Sequence, residues 1–145
     1  MQQTFLTKEQ EQTIVDAIAI AEKQTSGEIK VHIENDCKTA EPLQRAIEIF
    51  TELKMHETEL RNGVIIYIAV KARKFAIYGD EGINKVVPDD FWNNVATILK
   101  SHFKNNNYAE GIAEAIHLCG EKLKSFFPHQ SNDTNELSND ISFGK

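Results

Sequence analysis

A chain of 145 residues, 41% hydrophobic and 26% charged, has the material for one domain with an ordinary core, and its seven glycines, three prolines and two cysteines exclude collagen-like, low-complexity and disulfide-stapled classes. A net charge of −6 excludes a general nucleic-acid binder, which gains affinity by neutralising phosphates with clustered Lys and Arg. The longest apolar run, Val64 to Val70, is far below the ~20 residues that a membrane-spanning helix needs.

Met1-Gln2-Gln3-Thr4 runs straight into a helical pattern, without the basic, apolar and small-residue sections of an export signal. Cys37 and Cys119 lie far apart and lack Cys-x-x-Cys spacing, so they are expected as free thiols in the cytoplasm. Thr7 with Gln10 three residues on forms a helix start, and Ile14, Ile18 and Ala21 repeat at helical spacing, predicting a helix over 8–24 that stops at Ser26-Gly27. Glu28 to Glu34 alternates with period two and predicts a strand with one apolar face. Pro42 suits a first helical turn, and Leu43, Ala46, Ile47, Phe50 and Leu53 form the apolar stripe of a second helix that crosses over the sheet.

Arg61-Asn62-Gly63 is a turn, and the unbroken run 64–70 is a central strand covered on both faces. Lys71 to Arg73 is too short for a crossover, so the strand 74–78 returns antiparallel. After Gly79-Asp80-Glu81-Gly82 the loop has room for a short extra strand near 85–87. Asp89 then caps a helix with Phe91, Trp92, Val95, Leu99 and Phe103. Asn105-Asn106-Asn107 breaks that pattern, and Ile112, Ala115, Ile116, Cys119 and Leu123 restart it as far as Phe126-Phe127-Pro128. Residues 1–128 form the domain. From His129 to Lys145 the composition turns polar and predicts a disordered tail, whose tip Ile141-Ser142-Phe143 is expected to fray rather than dock. The element order predicts a three-layer α/β/α sandwich around a small mixed sheet, a βαβ unit extended by an antiparallel hairpin.

Familiar catalytic spacings fail one by one. His56-Glu57 would need a second histidine where Leu60 stands, Cys37 lacks a phosphatase arginine where Leu43 stands, and Asp36 is followed by Lys38 where a second aspartate is required. Phosphate-cradling glycine loops and a nucleophile elbow are absent from the sequence. What remains is a convergence of turns. If the third strand returns antiparallel, its end at Gly79-Asp80 shares an edge with the starts of the first two strands, gathering Glu28, the 58–62 turn, Asp80 and Glu81, with Asp89 and Asp90 reaching in from the side. Such carboxylates are hard ligands for calcium first, with magnesium or manganese as alternatives. Gly79 and Gly82 would let carbonyls approach the ion, and Arg61 would hold a carboxylate or phosphate. The plainer roles are a cap for Asp89 and an ion pair between Arg61 and Glu28. The opposite edge offers Glu34 and Asp36 beside the basic turn 71–74 as a second candidate, where opposite charges would satisfy one another. His32, His102 and His117 fall on regular elements and are read as solvated or core side chains.

Thr25-Ser26-Gly27-Glu28-Ile29, Thr58-x-x-Arg61-Asn62-Gly63-Val64, Phe75-Ala76-Ile77-x-Gly79-Asp80-x-Gly82-Ile83, Phe91-Trp92 and Tyr108-x-x-Gly111-Ile112 together resemble the TPM domain, also called the TPM phosphatase domain, over about residues 5 to 128. The resemblance implies an α/β/α sandwich and carries over the cluster Glu28, Arg61, Asn62, Asp80 and Gly82. Plant thylakoid members of that family are described as acid phosphatases associated with photosystem repair, and others as membrane-tethered modulators. Two functions are therefore expected: a divalent-metal-binding module that meets a protein partner, or a metal-dependent hydrolase of phosphomonoesters with Asp80 and Arg61 as catalytic residues.

Overall fold

The computed structural model describes residues 6–128 and 141–144. Helix α1 runs Lys8–Gln24, started by a reciprocal capping box in which Thr7 Oγ1 accepts from Gln10 N and the Gln10 side chain accepts from Thr7 N. Strand β1 (Glu28–Glu34) is followed by α2 (Pro42–Glu52), a 3₁₀ turn (Met55–Glu57) and the hairpin β2 (Gly63–Ala69) and β3 (Lys74–Gly79). Then come the one-turn helix α3 (Glu81–Asn84), α4 (Phe91–Lys104), α5 (Tyr108–Phe126) and the two-residue strand β4 (Ser142–Phe143). The sheet order is β3-β2-β1-β4, with β1 parallel to β2 and β4, and β3 antiparallel to β2.

Strand alternation sorts the side chains into two cores. Ile29, Val31 and Ile33 of β1 and Val64, Ile66 and Ile68 of β2 point to α1, α4 and α5, where Ile14, Ile18, Val95, Leu99, Ile112, Ile116 and Leu123 meet them. Ile65, Tyr67 and Ala69 point the other way, onto Ala46, Ile49 and Phe50 of α2 and onto Met55. This is the expected three-layer α/β/α sandwich. Cys37 and Cys119 are both free thiols. No helix among the described residues is long and apolar enough to cross a membrane.

Four sequence expectations are corrected. The stripe of α2 is rotated, because Leu43 and Ile47 stay exposed while Arg45, Ala46, Ile49 and Phe50 turn inward. Residues 85–87 form no strand and instead close the last turn of α3, with Val86 N and Val87 N both donating to Ile83 O. Helix α4 is capped by Asp90 rather than Asp89, without a side-chain bond. Residues 141–144, expected to fray, return to the sheet and pair with β1 at His32 and Ile33. The remainder of the expected tail, 129–140, lies outside the described residues.

Candidate functional site

The register builds the first edge as expected. Glu28 sits opposite Gly63, and Asp80 N donates to Gly63 O at 2.9 Å, so Glu28 and Asp80 flank the start of β2, two strand spacings or roughly 10 Å apart. Arg61, held in the left-handed region at φ 52, turns its guanidinium onto Asp80. Nε donates to Oδ2 at 2.7 Å and Nη2 to Oδ1 at 2.9 Å, the fork-on-fork geometry that arginine and carboxylate share. Asp80 Oδ1 also accepts from Glu81 N at 2.8 Å and so caps α3, while Arg61 Nη1 lies 3.4 Å from Glu81 Oε1. Asp80 is 1% exposed, whereas the side chain of Arg61 is 40% exposed and comes to it from the solvent side.

Gly82 makes the loop-to-helix contact possible. Its amide donates to Arg61 O at 2.8 Å, and a Cβ there would stand 2.5 Å from that oxygen and closer still to Leu60 O. Two backbone carbonyls, those of Leu60 and Arg61, therefore stand against Gly82. Gly79 serves otherwise: the indole of Trp92 occupies the space of its missing side chain, and Trp92 Nε1 donates to Asn84 Oδ1 at 2.8 Å. What α4 brings to this edge is therefore Trp92, while Asp89 and Asp90 stay exposed in the turn before the helix. Asn62, 1% exposed, ties the loop to the end of α1 by donating to Ser26 Oγ at 3.3 Å. The Thr58 hydroxyl of the same loop is buried with no hydrogen-bond partner among the described residues.

Glu22 belongs to this edge and was missed. Its Oε2 accepts from Ile29 N at 2.9 Å, its Oε1 is buried with no hydrogen-bond partner among the described residues, and the Glu28 carboxylate stands close enough to act on its charge. Burial, then the Glu28 charge, push its carboxyl well above the ordinary carboxylate range against the pull of the Ile29 amide. The signal was Ile18, four residues earlier on the buried face of α1.

At the opposite edge, Glu34 is the hub of a buried polar network. It accepts from Arg45 Nε at 3.1 Å and Arg45 Nη2 at 2.6 Å, from Tyr67 Oη at 2.8 Å and from His32 Nε2 at 3.2 Å, and its side chain is fully buried. Four donors use the lone pairs a carboxylate has. The expected partner, the basic turn 71–74, does not fill this role; Arg45 of α2 does, which explains the rotation of that helix. Asp36 is exposed beyond the strand. His32, read as a solvated or core side chain, is buried, stacks over Tyr67 at 6.1 Å between ring centroids and takes Ser142 Oγ at 2.8 Å on Nδ1. Burial lowers its pKa more than Glu34 raises it, which keeps the ring neutral at pH 7.

Burial alone would raise the Glu34 carboxyl, but the bonds from Arg45, Tyr67 and His32 outweigh it and hold the group at about 2. An unfolded glutamate titrates near ~4.3, so the network contributes its full stability above that pH and loses it as pH falls through about 2. The urea midpoint is expected to drop between pH ~5 and ~2, and to drop less in Glu34→Gln, which has no carboxylate to protonate.

Residues 1–122 match the family model described as the TPM domain. The chain belongs to the TPM domain family. Among solved structures, this TPM domain is similar to BA42 from the psychrophilic bacterium Bizionia argentinensis, determined by NMR. The two share 46% identity and superpose with a TM-score of 0.91 over 99% of each chain. It also superposes on the N-terminal domain of a protein from P. gingivalis, solved by NMR in solution, with a TM-score of 0.62 over 88% of this chain and 83% of that one. At 16% identity, this second likeness shows the fold alone. Comparison with curated proteins gives no match. In the TPM domain described here, the motif residues Glu28, Arg61, Asn62, Asp80 and Gly82 fall on the first edge.

The donor set of that edge, Asp80 and Glu81 with the nearby Leu60 and Arg61 carbonyls, has the hard-oxygen chemistry of a calcium or magnesium site. The arrangement is not a ready cage. Among the described residues, no group of three or more His, Cys, Asp or Glu is placed to hold a metal ion, and Asp80 is already committed to Arg61.

Proposed function

We propose that the chain is a binding module that takes a divalent cation at Asp80 and Glu81 in exchange for the Arg61 side chain, calcium first and magnesium or manganese after it. The observation that supports this reading is the asymmetry of the pair: a carboxylate that is 1% exposed is neutralised by a cationic side chain that is 40% exposed and reaches it from the solvent side. Hard oxygens neutralised by a displaceable positive charge are chemically suited to a small cation. Bound there, an ion would tie the 58–62 loop to α3 and present both to a protein partner as one ordered surface. Hydrolysis of phosphomonoesters is the weaker reading, because the sequence offers no recognisable nucleophile or paired base to act with Asp80 and Arg61.

The test is an NMR titration of metal-stripped protein with calcium, magnesium and manganese. Saturable shifts are expected at Glu28, Asn62, Asp80 and Gly82, with affinity at least ~10-fold weaker in Asp80→Asn and tighter in Arg61→Gln, which removes the competing charge. Shifts at Asp36 alone would move the site to the other edge, and an Arg61→Gln protein that binds more weakly would overturn the exchange. Release of phosphate from p-nitrophenyl phosphate that is lost in Asp80→Asn with the fold intact would favour the hydrolase instead.

A further inference from the structure

Among the described residues the outer side of β1 is paired with only two, yet each residue of the segment seated there meets a different selection. Ile141 is 9% exposed and joins the core beneath α1. Ser142 Oγ lies 2.8 Å from His32 Nδ1. Ionised Glu34 only accepts, so His32 Nε2 carries the proton, Nδ1 is left as an acceptor and the serine donates. Phe143, opposite Ile33, lies on the same side as Ile141 and lines a groove with Lys8, Glu11, Gln12 and Val15 of α1, while 42% of it stays exposed. Gly144 N donates to Ile33 O at 2.8 Å, and any Cβ at 144 would fall 2.5 Å from Glu34 Oε1 and 2.6 Å from Glu34 Cγ. Glu34 cannot yield, because Arg45 and Tyr67 hold it from the far side. The edge thus accepts an apolar residue, a hydroxyl donor, a half-exposed residue laid against α1 and then glycine.

We propose that this edge is a strand-receptor site, that residues 141–144 are its resident ligand, and that its exchange partner is the same segment of a second copy of this chain. The contacts just described are made with β1 and with side chains packed on it, so a segment supplied by another molecule makes the same ones. A two-residue ladder is short enough to open while the rest of the sheet stays closed. Strand addition at an open edge uses main-chain bonds for affinity and alternate side chains for selection, and exchange of an identical element is a low-cost route to a dimer. The inference is independent of any cation at the other edge.

The probe is a synthetic peptide of residues 137–145, titrated into full-length protein carrying Gly144→Leu. The variant is expected to lose protection of the residue 144 amide while the β1–β2 amides stay protected. The peptide should then restore the native His32 and Ile33 signals with saturation. A peptide carrying Ser142→Ala should bind ~5–10-fold more weakly, the worth of one hydrogen bond, and wild-type protein, its site filled, at least ~10-fold more weakly. A variant whose own segment stays seated, or whose His32 and Ile33 signals do not respond to peptide, overturns the receptor site. Sedimentation at rising concentration reads the trans occupant: a dimer that Gly144→Leu cannot form supports it, and a wild type that is monomeric throughout overturns exchange with a second copy. Should Gly144→Leu not fold, full-length Ser142→Ala serves, where ~5–10-fold faster exchange of the Gly144 amide supports the site and unchanged exchange overturns it.

Discussion

Arg45→Ala should lower the stability of the domain by about 3–5 kcal/mol, read as a shifted urea midpoint at unchanged slope. The reason is what the truncation leaves behind rather than the pair it removes. Arg45 gives two of the four bonds that Glu34 accepts, and the Glu34 side chain has no exposed surface through which water could replace them. Tyr67 and His32 would remain, but they are neutral donors and do not balance a buried negative charge. Arg45 also meets Glu48 at 3.0 Å and Glu52 at 3.9 Å, but those glutamates are largely exposed and contribute little. The double variant Arg45→Met with Glu34→Gln separates the two causes. It should recover part of the loss, since no charge is then stranded, and a double variant as unstable as Arg45→Ala would assign the effect to packing of α2 instead.

Gly82→Ala should cost about 3 kcal/mol and, at the same time, undo the first edge. The added methyl meets the carbonyl oxygens of Leu60 and Arg61, which are backbone atoms with no rotamer to escape into. Either α3 shifts away from the 58–62 loop or the loop shifts away from α3, and both movements stretch the bond from Gly82 N to Arg61 O and the fork between Arg61 and Asp80. NMR of the variant is therefore expected to show displaced signals for Arg61, Asn62 and Asp80 together, with the β1–β2 ladder unchanged. Native signals at all three would mean that the close approach does not position the site. Gly63→Ala is the contrast: a Cβ there stands 3.4 Å from Met55 O and 3.5 Å from the Phe50 ring, so its effect should be much smaller.

The sequence carried most of the scaffold because its local signals agreed with one another. Thr7 and Gln10 set the start of α1, the period-two run set β1, and the three-residue link at 71–73 forced the return of β3. It also carried the gathering of Glu28, Arg61 and Asp80, which follows from strand direction alone. What it hid were polar side chains that are buried because another polar group needs them. Arg45 looks like the solvent side of a helix, and the apolar stripe was accordingly drawn through Leu43 and Ile47; only Glu34, eleven residues earlier on a different element, turns that helix inward. Glu22 looks like a surface glutamate until Glu28 is placed beside it. Ile141 to Gly144 looked like the end of a polar tail because its partner, β1, lies more than a hundred residues away in the chain. Periodicity reports burial of apolar groups, and pairing between distant polar groups leaves no period to find.

The larger of the two cores closes between α1 and α5, where Gly120 lets the backbone of α5 come against Ala21 and Leu123 fills the space beside Gly27. Emerging from the ribosome in order, the sheet and α2 are present long before that wall exists. Ile29, Val31, Val64 and Ile66 must then wait, with α1 alone to cover them at first, for about fifty further residues to be made, a delay of roughly 3–10 s at ordinary synthesis rates. The β1–β2–β3 sheet is thus a surface that a chaperone meets before α5 does, and the last helix acts as the step that withdraws it.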